Sequence, residues 1–419
     1  MRLHVASIAT LLLLSGCAAP PQPTADPDIA AFVDKIRAVD NHSHANSTTP
    51  GDADADALPL DGVAPFEMPA TLRPEHPNWE AARQALEAVP VGQGDKRPAL
   101  VLDQIGVEVM LANRIAMGPG LAAPRFRWVS YVDALMLPLS TKLEAASSPD
   151  REQLFPLEDR LLQRYFTQLN VSMRPATLDG YLKTIVTPTL ESQRRGGCVA
   201  VKFEAAYLRS LDFGDAPQDR ASQIYAKFAG GGEPPPADYR LLQDFLFRYI
   251  AREAGRLGMA VHIHSFEGAG NYFRTADADP LLLEGAFNDP SLRQTSFVIV
   301  HGGGVFADHA GAMLWKPNVY VDTSLMALAY PPDRLAGILR SWLSQYPEKV
   351  LFGTDAVAIS ADTGWEIAAW VATKNARAAL ASALTGMMRG GEVTRPRAEQ
   401  IATMVMRTNA SQLYKLGLK

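Results

Sequence analysis

Two histidines separated by a single residue stand near the start of the sequence, in "VDNHSHAN" (39–46). His42 and His44 are two of only eight histidines in 419 residues. Side chains two residues apart on a β-strand point to the same face, so the two imidazoles would lie side by side. Imidazole is the commonest protein ligand for metal ions. The pair therefore predicts half of a metal site that other parts of the chain must complete.

Three further residues that can bind metal or move protons also end short apolar runs. They are His264 in "VHIHS", His301 in "VIVHGG" and Asp355 in "FGTDA". If these runs are parallel strands, their carboxyl ends meet at one face of the sheet, where catalytic residues of such folds lie. Three imidazoles and one carboxylate suit Zn²⁺ or a similar ion and leave a position open for water or substrate.

Eight short runs rich in Val, Ile, Phe and Tyr predict the strands that position these side chains. In chain order they are residues 38–44, 107–114, 127–135, 198–207, 259–265, 296–303, 319–324 and 350–356. Helical stretches separate several of them: residues 237–257 carry one apolar face, and Gly258 follows as a C-terminal cap. This alternation predicts an α/β fold, a single-domain (β/α)8 TIM barrel. Its length leaves long insertions after strands one and three, at 46–100 and 136–196.

The composition limits the classes of partner. The chain is 47% hydrophobic and 20% charged, with a net charge of −5. It has no basic stretch that would neutralise nucleic-acid phosphates, so we expect no nucleic-acid partner. No apolar run reaches the roughly 18 residues that a membrane-spanning helix needs. Cys198 stands in an apolar run and is expected to be a buried structural thiol.

The first twenty residues, "MRLHVASIATLLLLSGCAAP", have the basic start and apolar stretch of a secretory signal. "LSGC", ending at Cys17, resembles a bacterial lipobox, which implies cleavage before Cys17 and a lipid on its thiol; the alternative is a plain signal peptide with an incidental cysteine. We expect a signal at 1–16, a Pro-rich tether at 17–35 and the barrel at 36–419. The protein would then be exported and held by lipid alone on the periplasmic side of a bacterial membrane, an outer membrane in a Gram-negative source.

The segments "DNHSH", "VHIHSFEG", "VIVHGGG" and "VLFGTDA" together resemble the amidohydrolase superfamily, in its amidohydrolase-related branch. The tail "RTNASQLYKL" (407–416) is similar to that family's closing helix, and the resemblance covers roughly residues 36–417. It implies a distorted TIM barrel that holds one or two metal ions.

The resemblance also implies roles for the five residues. His42, His44, His264 and Asp355 match the metal ligands, and Asp355 also matches the residue that handles protons. His301 matches a residue that acts on the substrate as acid–base or electrophile in mononuclear members and binds the second metal in binuclear ones. We expect one divalent ion, Zn²⁺ or else Mn²⁺.

Lys202, in "VKFEAAYLR", has several possible roles. Its match in binuclear relatives is a carbamylated lysine that bridges two metals, so a second metal is expected only with that modification. In other members the same segment implies that Lys202, Tyr207 and Arg209 approach the substrate. The remaining alternative is a lysine that extends its ammonium out of the barrel mouth; Glu204 has the same strand parity and could pair with it.

Two more residues leave alternatives open. Arg114 ends the second strand and could hold an anionic substrate, or form a surface salt bridge. His262 shares a face with His264 and lies one layer deeper, where it could support a metal ligand or be a hydrogen-bonded core residue.

The function predicted from these residues is metal-dependent hydrolysis of an amide, ester or lactone in a small molecule by a metal-activated water. Asp355 would move the proton and His301 would stabilise charge on the carbonyl oxygen. A second hypothesis is a metal-dependent decarboxylase or isomerase, which requires a carboxylate substrate and inward-facing cations. A third is a binding lipoprotein that uses the barrel as a scaffold without catalysis.

Overall fold

The structure is a computed structural model that describes residues 25–60, 63, 69–73, 75–90, 92–359 and 363–418. Cys17 and the rest of the expected signal lie outside the described residues. Among the residues described, no helix has the length and apolar character needed to cross a membrane.

Eight parallel strands form one sheet whose neighbours follow the chain order. Their bounds are β1 Ala38–Ser43, β2 Val107–Arg114, β3 Phe126–Tyr131, β4 Cys198–Phe203, β5 Ala260–His264, β6 Phe297–Val300, β7 Val319–Asp322 and β8 Val350–Leu351. The last strand returns to the first, because the Asp355 N–H donates to the carbonyl of His42 at 2.8 Å and Ser43 bridges in parallel with Ala356. The predicted (β/α)8 barrel is confirmed.

Helices cover the outside of the barrel. In chain order they are α1 Pro27–Lys35, α2 Pro77–Leu86, α3 Arg97–Ile105, α4 Asp133–Met136, α5 Lys142–Ala145, α6 Pro149–Gln168, α7 Leu178–Tyr181, α8 Thr187–Arg195, α9 Ala205–Leu208, α10 Gln218–Phe228, α11 Pro236–Arg256, α12 Glu284–Phe287, α13 Ala307–Met313, α14 Met326–Ala329, α15 Pro332–Leu343, α16 Trp365–Arg389, α17 Arg395–Thr403 and α18 Asn409–Leu413.

Each predicted run contains one strand, and the differences have local causes. Strands β3 and β4 each end four residues before the end of the predicted run, because the short helices α4 and α9 begin two residues after the strand. The predicted helix at 237–257 is α11, and Gly258 adopts a left-handed φ of +68° directly after it, as expected of a capping glycine. Cys198 is fully buried, and burial raises the pKa of its thiol to about 12.

One expected boundary differs. Residues 27–35, within the expected Pro-rich tether, form α1, which begins at an Asp26 cap and buries Ile29 and Val33 against the barrel's outer helices. The cause is the apolar pair four residues apart, which gives one turn of helix a face to bury.

The lower half of the barrel interior is apolar. Its buried side chains come from the strands and include Val39, Val109, Val129 and Val298. Tyr414, just after α18, packs into the same cluster and closes this end. The strand-end histidines and Asp355 lie at the other end, with the two long insertions, and buried polar side chains reach from there to the hydroxyl of Tyr414.

Candidate metal centre and active site

The end of β1 presents both of its histidines to the barrel mouth. Asp40 pairs with Met110 and Ser43 with Ala112, so three steps on β1 face two on β2. This β-bulge re-aims the strand end, as bulges beside active sites commonly do. The His42 and His44 rings lie 5.3 Å apart, His42 fully buried and the His44 side chain 13% exposed.

Asp355 joins this pair from just after β8. It has a left-handed φ of +56°, and its Oδ1 lies 3.2 Å from Nε2 of His42 and 3.5 Å from Nε2 of His44. That oxygen is buried and makes no hydrogen bond. Asp56 Oδ2 accepts from Nδ1 of His44 at 2.9 Å, so the nitrogen facing Asp355 is the one that can offer a lone pair. A bare carboxylate oxygen facing imidazole nitrogens fits the donor set of a divalent ion.

His301 approaches the same point from the end of β6. It also has a left-handed φ, +66°, and its ring centroid lies 5.0 Å from that of His42. The Ser324 hydroxyl donates to Oδ1 of Asp322 at 2.6 Å, so it accepts from Nδ1–H of His301 at 2.8 Å and leaves Nε2 with a lone pair. Among the described residues, His42, His301 and Asp355 form a candidate metal group whose ligand atoms all lie within 4.8 Å of one another.

His264 lies beside this group with a different orientation. Its ring is 4.8 Å from that of His301 and 4.8 Å from that of Tyr207, which packs over it. Its Nε2 is directed toward the carbonyl of Phe266 at 3.3 Å. The structure thus brings all five expected residues together but groups His301, rather than His264, with the nearest ligand atoms. Their division into ligands and catalytic groups stays a prediction.

Electrostatics favour neutral imidazoles here. Burial, with the ammonium of Lys202 adding to it, lowers the pKa of His42 and His264 well below the usual value, and burial does the same for His301. Neutral imidazole is the form that binds metal. His44 differs: burial would lower its pKa, but the carboxylate of Asp56 raises it above the usual value.

Lys202 is completely buried inside the barrel rather than extended to solvent. Its Nζ lies 3.3 Å from Nε2 of His42 and 3.9 Å from Oε1 of Glu204. The expected pairing with Glu204 is therefore present. The Lys202 amine also lies beside His42, at the carboxyl ends of the strands.

Arg114 and Arg209, the two candidate substrate-binding arginines, both form ion pairs, which for Arg114 is the salt-bridge alternative, although the pair is buried. Arg114 pairs with Asp52 at 2.7 Å and donates to the carbonyls of Ala45 and Ala116. Arg209 pairs with Asp244 at 2.6 Å and donates to Gln243. Both side chains are almost fully buried, so these contacts occupy the guanidinium groups in holding loops together.

A hydrogen-bonded chain runs through the barrel beneath the site. His262 Nε2 lies 2.7 Å from the hydroxyl of Tyr414, which also contacts Oδ1 of Asn41. Asn41 donates to Oδ2 of Asp322 at 2.6 Å, and Oδ1 of Asp322 accepts from the His301 N–H at 2.8 Å. His262 thus belongs to this core network through its Nε2.

Sequence reasoning missed several residues of the site. Asp322 and Asn113 also end or nearly end strands, so the rule that selected His301 could have found them. Asn113 Nδ2 lies 3.0 Å from Nδ1 of His42. Tyr131, whose hydroxyl lies 3.1 Å from Nδ1 of His44, ends β3 but lay inside the longer predicted run 127–135. Asp56 had no comparable signal, since it lies in an insertion without periodicity.

Comparison with known proteins identifies the family. The sequence profile of the amidohydrolase family matches residues 193–416. The chain belongs to the amidohydrolase family. This confirms the resemblance seen in the strand-end motifs and makes the buried His-His-Asp group the candidate metal site of an enzyme of this superfamily. No curated protein matches the chain.

Several solved structures match over nearly the whole chain. A Lactobacillus casei protein, provisionally described as a metal-dependent hydrolase, superposes with a TM-score of 0.65 at 15% identity, covering 92% of this chain and 97% of its own. A uronate isomerase from Thermotoga maritima gives 0.57 at 12% identity, covering 93% and 98%. A glucuronate isomerase from Caulobacter crescentus gives 0.56 at 12%, covering 94% of each chain. At such identities these likenesses establish the fold.

Proposed function

We propose that this protein is a metal-dependent hydrolase that cleaves an amide, ester or lactone bond of a small molecule. The observation that carries the proposal is the buried Oδ1 of Asp355, which has no hydrogen-bond partner and faces Nε2 of both His42 and His44. A buried carboxylate oxygen without a donor is costly unless a cation satisfies it.

His42, His44 and Asp355 would hold one divalent ion, Zn²⁺ or Mn²⁺, with His264 as the fourth ligand. When bound, such an ion supplies an acidified water and polarises a carbonyl oxygen. His301 is the alternative to His264, because its Nε2 is free and its ring is near that of His42. Metal affinity separates the two: His264→Ala should weaken it if His264 is a ligand, while His301→Ala should then lower turnover at full metal content.

The chain's own groups divide the proton and charge chemistry. Asp355 accepts the proton of the attacking water and later delivers it to the leaving group, since Oδ1 already lies among the ligand nitrogens. His301, with Nδ1–H held by Ser324, presents a lone pair on Nε2, so in this tautomer it would accept a proton, and it would stabilise charge on the carbonyl oxygen once it is the imidazolium. Lys202 contributes a buried positive charge beside them.

The decarboxylase and isomerase alternatives keep one inward cation, Lys202, and lose two. They need cations for a carboxylate substrate, and both Arg114 and Arg209 are held in buried ion pairs. The binding-scaffold alternative is disfavoured because all five residues at the mouth keep metal-binding or proton-transfer groups.

Metal analysis of the full chain tests the proposal. We expect about one Zn²⁺ or Mn²⁺ per chain and hydrolysis within a panel of N-acyl amino acids, esters and lactones, both lost in His42→Ala. His309→Ala is the matched control, because His309 is a half-exposed histidine paired with Asp279 away from the site. Two ions per chain would indicate carbamylated Lys202. No bound metal after incubation with either ion would refute the proposal.

We also propose that the protein is exported and held by lipid at Cys17 on the periplasmic side of a bacterial membrane. The support is the sequence alone: a basic start, an apolar stretch and "LSGC". Metabolic labelling with palmitate should mark the wild-type chain and leave Cys17→Ser unlabelled. Equal labelling of both would contradict the assignment.

A further inference from the structure

Three carboxyl side chains form a buried cluster beside the candidate metal centre. Asp133 follows β3, Glu204 follows β4, and Glu158 lies on α6 of the insertion between them. Asp133 and Glu158 are 1% exposed and Glu204 is 6% exposed. We call these three residues the acid pocket.

Most oxygens of the acid pocket lack a donor. Both Oε1 and Oε2 of Glu158, Oε2 of Glu204 and Oδ1 of Asp133 are buried without a hydrogen-bond partner. Asp133 Oδ2, in contrast, accepts from the Glu204 N–H at 2.8 Å. Unsatisfied buried carboxylates are rare in native structures and costly, so a group that satisfies them is expected. Glu158 is the clearest case because neither of its oxygens has a partner.

Burial disfavours the charged form of these carboxyls, an effect that a bound cation would reverse. Burial raises the pKa of Glu204 to about 8, with Asp56 adding to the shift, and burial raises the pKa of Glu158 well above its usual value, with Asp133 and Glu204 adding to that shift. Lys202 is the cation that Glu204 contacts, and its ammonium also contacts His42.

A second divalent metal does not fit these positions. Among the described residues, the candidate metal group with ligand atoms mutually within 4.8 Å is His42, His301 and Asp355, and the acid pocket contributes none of its members. An organic cation can contact carboxyl groups that are further apart, since an ammonium has three donors and a guanidinium five.

Apolar side chains lie next to the acid pocket in sequence and in space. A small hydrophobic cluster, separate from the main core, contains Leu58, Leu154, Phe155 and Leu208. Leu154 is one helical turn before Glu158, and Leu208 is one turn after Glu204. Apolar walls and an acidic end suit a short aliphatic chain that ends in a positive charge.

The pocket is also close to the reacting centre. Glu204 Oε1 lies 3.9 Å from Nζ of Lys202, which lies 3.3 Å from Nε2 of His42. Asp56, Glu204 and Asp355 all lie near enough to the Tyr131 phenol to add to the rise in its pKa that burial causes. The acid pocket and the candidate metal centre are therefore linked through the side chain of Lys202.

We propose that the acid pocket binds the ammonium or guanidinium group of the substrate, so that the enzyme acts on a small carbonyl compound carrying an aliphatic cationic arm. This inference rests on the proposed hydrolase function for the reaction, and on the pocket alone for the charge of the substrate. Charge-assisted hydrogen bonds to Glu158 and Glu204 would then select cationic substrates over neutral ones of the same shape.

Calorimetry with n-butylammonium and its neutral analogue 1-butanol tests the pocket on the full-length protein. We expect the ammonium to bind and the alcohol not to bind. Glu158→Gln should weaken ammonium binding about tenfold or more, as loss of one buried charge-assisted hydrogen bond implies. Glu152→Gln, an exposed glutamate on the same helix, is the control and should bind as the wild type does.

The outcomes separate this inference from the proposed function. Binding of n-butylammonium to Asp355→Asn should persist even if that variant hydrolyses nothing, so the pocket can be correct where the hydrolase proposal fails. Equal binding of ammonium and alcohol, no ammonium binding to wild type, or undiminished binding in both Glu158→Gln and Glu204→Gln would overturn the inference. Undiminished binding together with a raised Tm in Glu158→Gln and Glu204→Gln would mean that the carboxyls of the acid pocket share protons with each other.

Discussion

The free carboxylate oxygen of Asp355 lies 3.2 Å from Nε2 of His42, although the two residues belong to opposite ends of the barrel sequence. The contact is held by the backbone, because the Asp355 N–H donates to the His42 carbonyl where the barrel closes. The backbone contact that closes the barrel therefore also places Asp355 beside His42. Asp355→Asn should keep the fold and lower kcat about 10²- to 10⁴-fold, as loss of a general base does. Unchanged kcat in a metal-loaded variant would remove Asp355 from proton transfer.

Asp56 should control metal affinity through His44. Its Oδ2 accepts from Nδ1 of His44, which fixes the tautomer with Nε2 free. Asp56→Asn should raise the metal dissociation constant about 10- to 100-fold, as loss of such a supporting group typically does. Competition with a chelating dye measures this. Asp54→Asn is the matched control: Asp54 lies in the same loop as Asp56, is one-third exposed and pairs with Arg164 of α6. Equal effects of the two changes on metal affinity would contradict the assignment.

Ser324 should act as a positioning residue for His301. Its hydroxyl donates to Asp322 and accepts from Nδ1–H of His301, so Ser324→Ala frees the imidazole to change tautomer. We expect kcat to fall about 10-fold or more with little change in KM or metal content. Nitrogen NMR should show a mixture of His301 tautomers in the variant. A variant with one tautomer and normal kcat would show that Ser324 has no such role, and Ser344→Ala, an exposed serine, serves as the control.

Arg209 should matter for stability rather than for substrate affinity. Its guanidinium pairs with Asp244 at 2.6 Å and its side chain is 5% exposed. Arg209→Met leaves the Asp244 carboxylate buried without its partner, which typically costs about 3–5 kcal/mol. Denaturant unfolding should show this loss, while KM of the folded fraction stays constant. Arg252→Met controls for the loss of charge, because Arg252 is an exposed residue on the same helix as Asp244, α11. A raised KM in Arg209→Met would instead support a role of Arg209 in substrate binding.

The ion pair that anchors α1 should make stability depend on pH at the acidic end. The hydrogen bond from Arg395 lowers the pKa of Asp26 from 3.8 to about 2, and the backbone N–H groups of α1 assist. Because the folded pKa is below the unfolded one, the contribution is complete above pH 3.8 and is lost as pH falls through about 2. The Tm difference between wild type and Arg395→Gln should therefore shrink over that range. A constant difference, or an equal one in Arg397→Gln, would contradict this origin.

The sequence by itself determined the barrel and the position of its chemistry. Short β-branched runs alternating with helices specify parallel strands, and the carboxyl ends of such strands must share one face. That geometry brings His42, His44, His264, His301 and Asp355 together without any need to know a single side-chain contact. The bulge in β1 and the exact orientation of His264 did not follow, because they depend on register and on neighbours such as Tyr207.

Only the tertiary structure decided which charges face the site. Arg114 and Arg209 looked available in sequence, yet each meets a buried carboxylate, Asp52 or Asp244, that no local pattern announces. Asp56 and Glu158 reach the site from insertions whose sequences have no strand periodicity near them. The physical reason is that strand ends are fixed by the backbone repeat, whereas side chains on insertions find their partners through packing between segments distant in the chain.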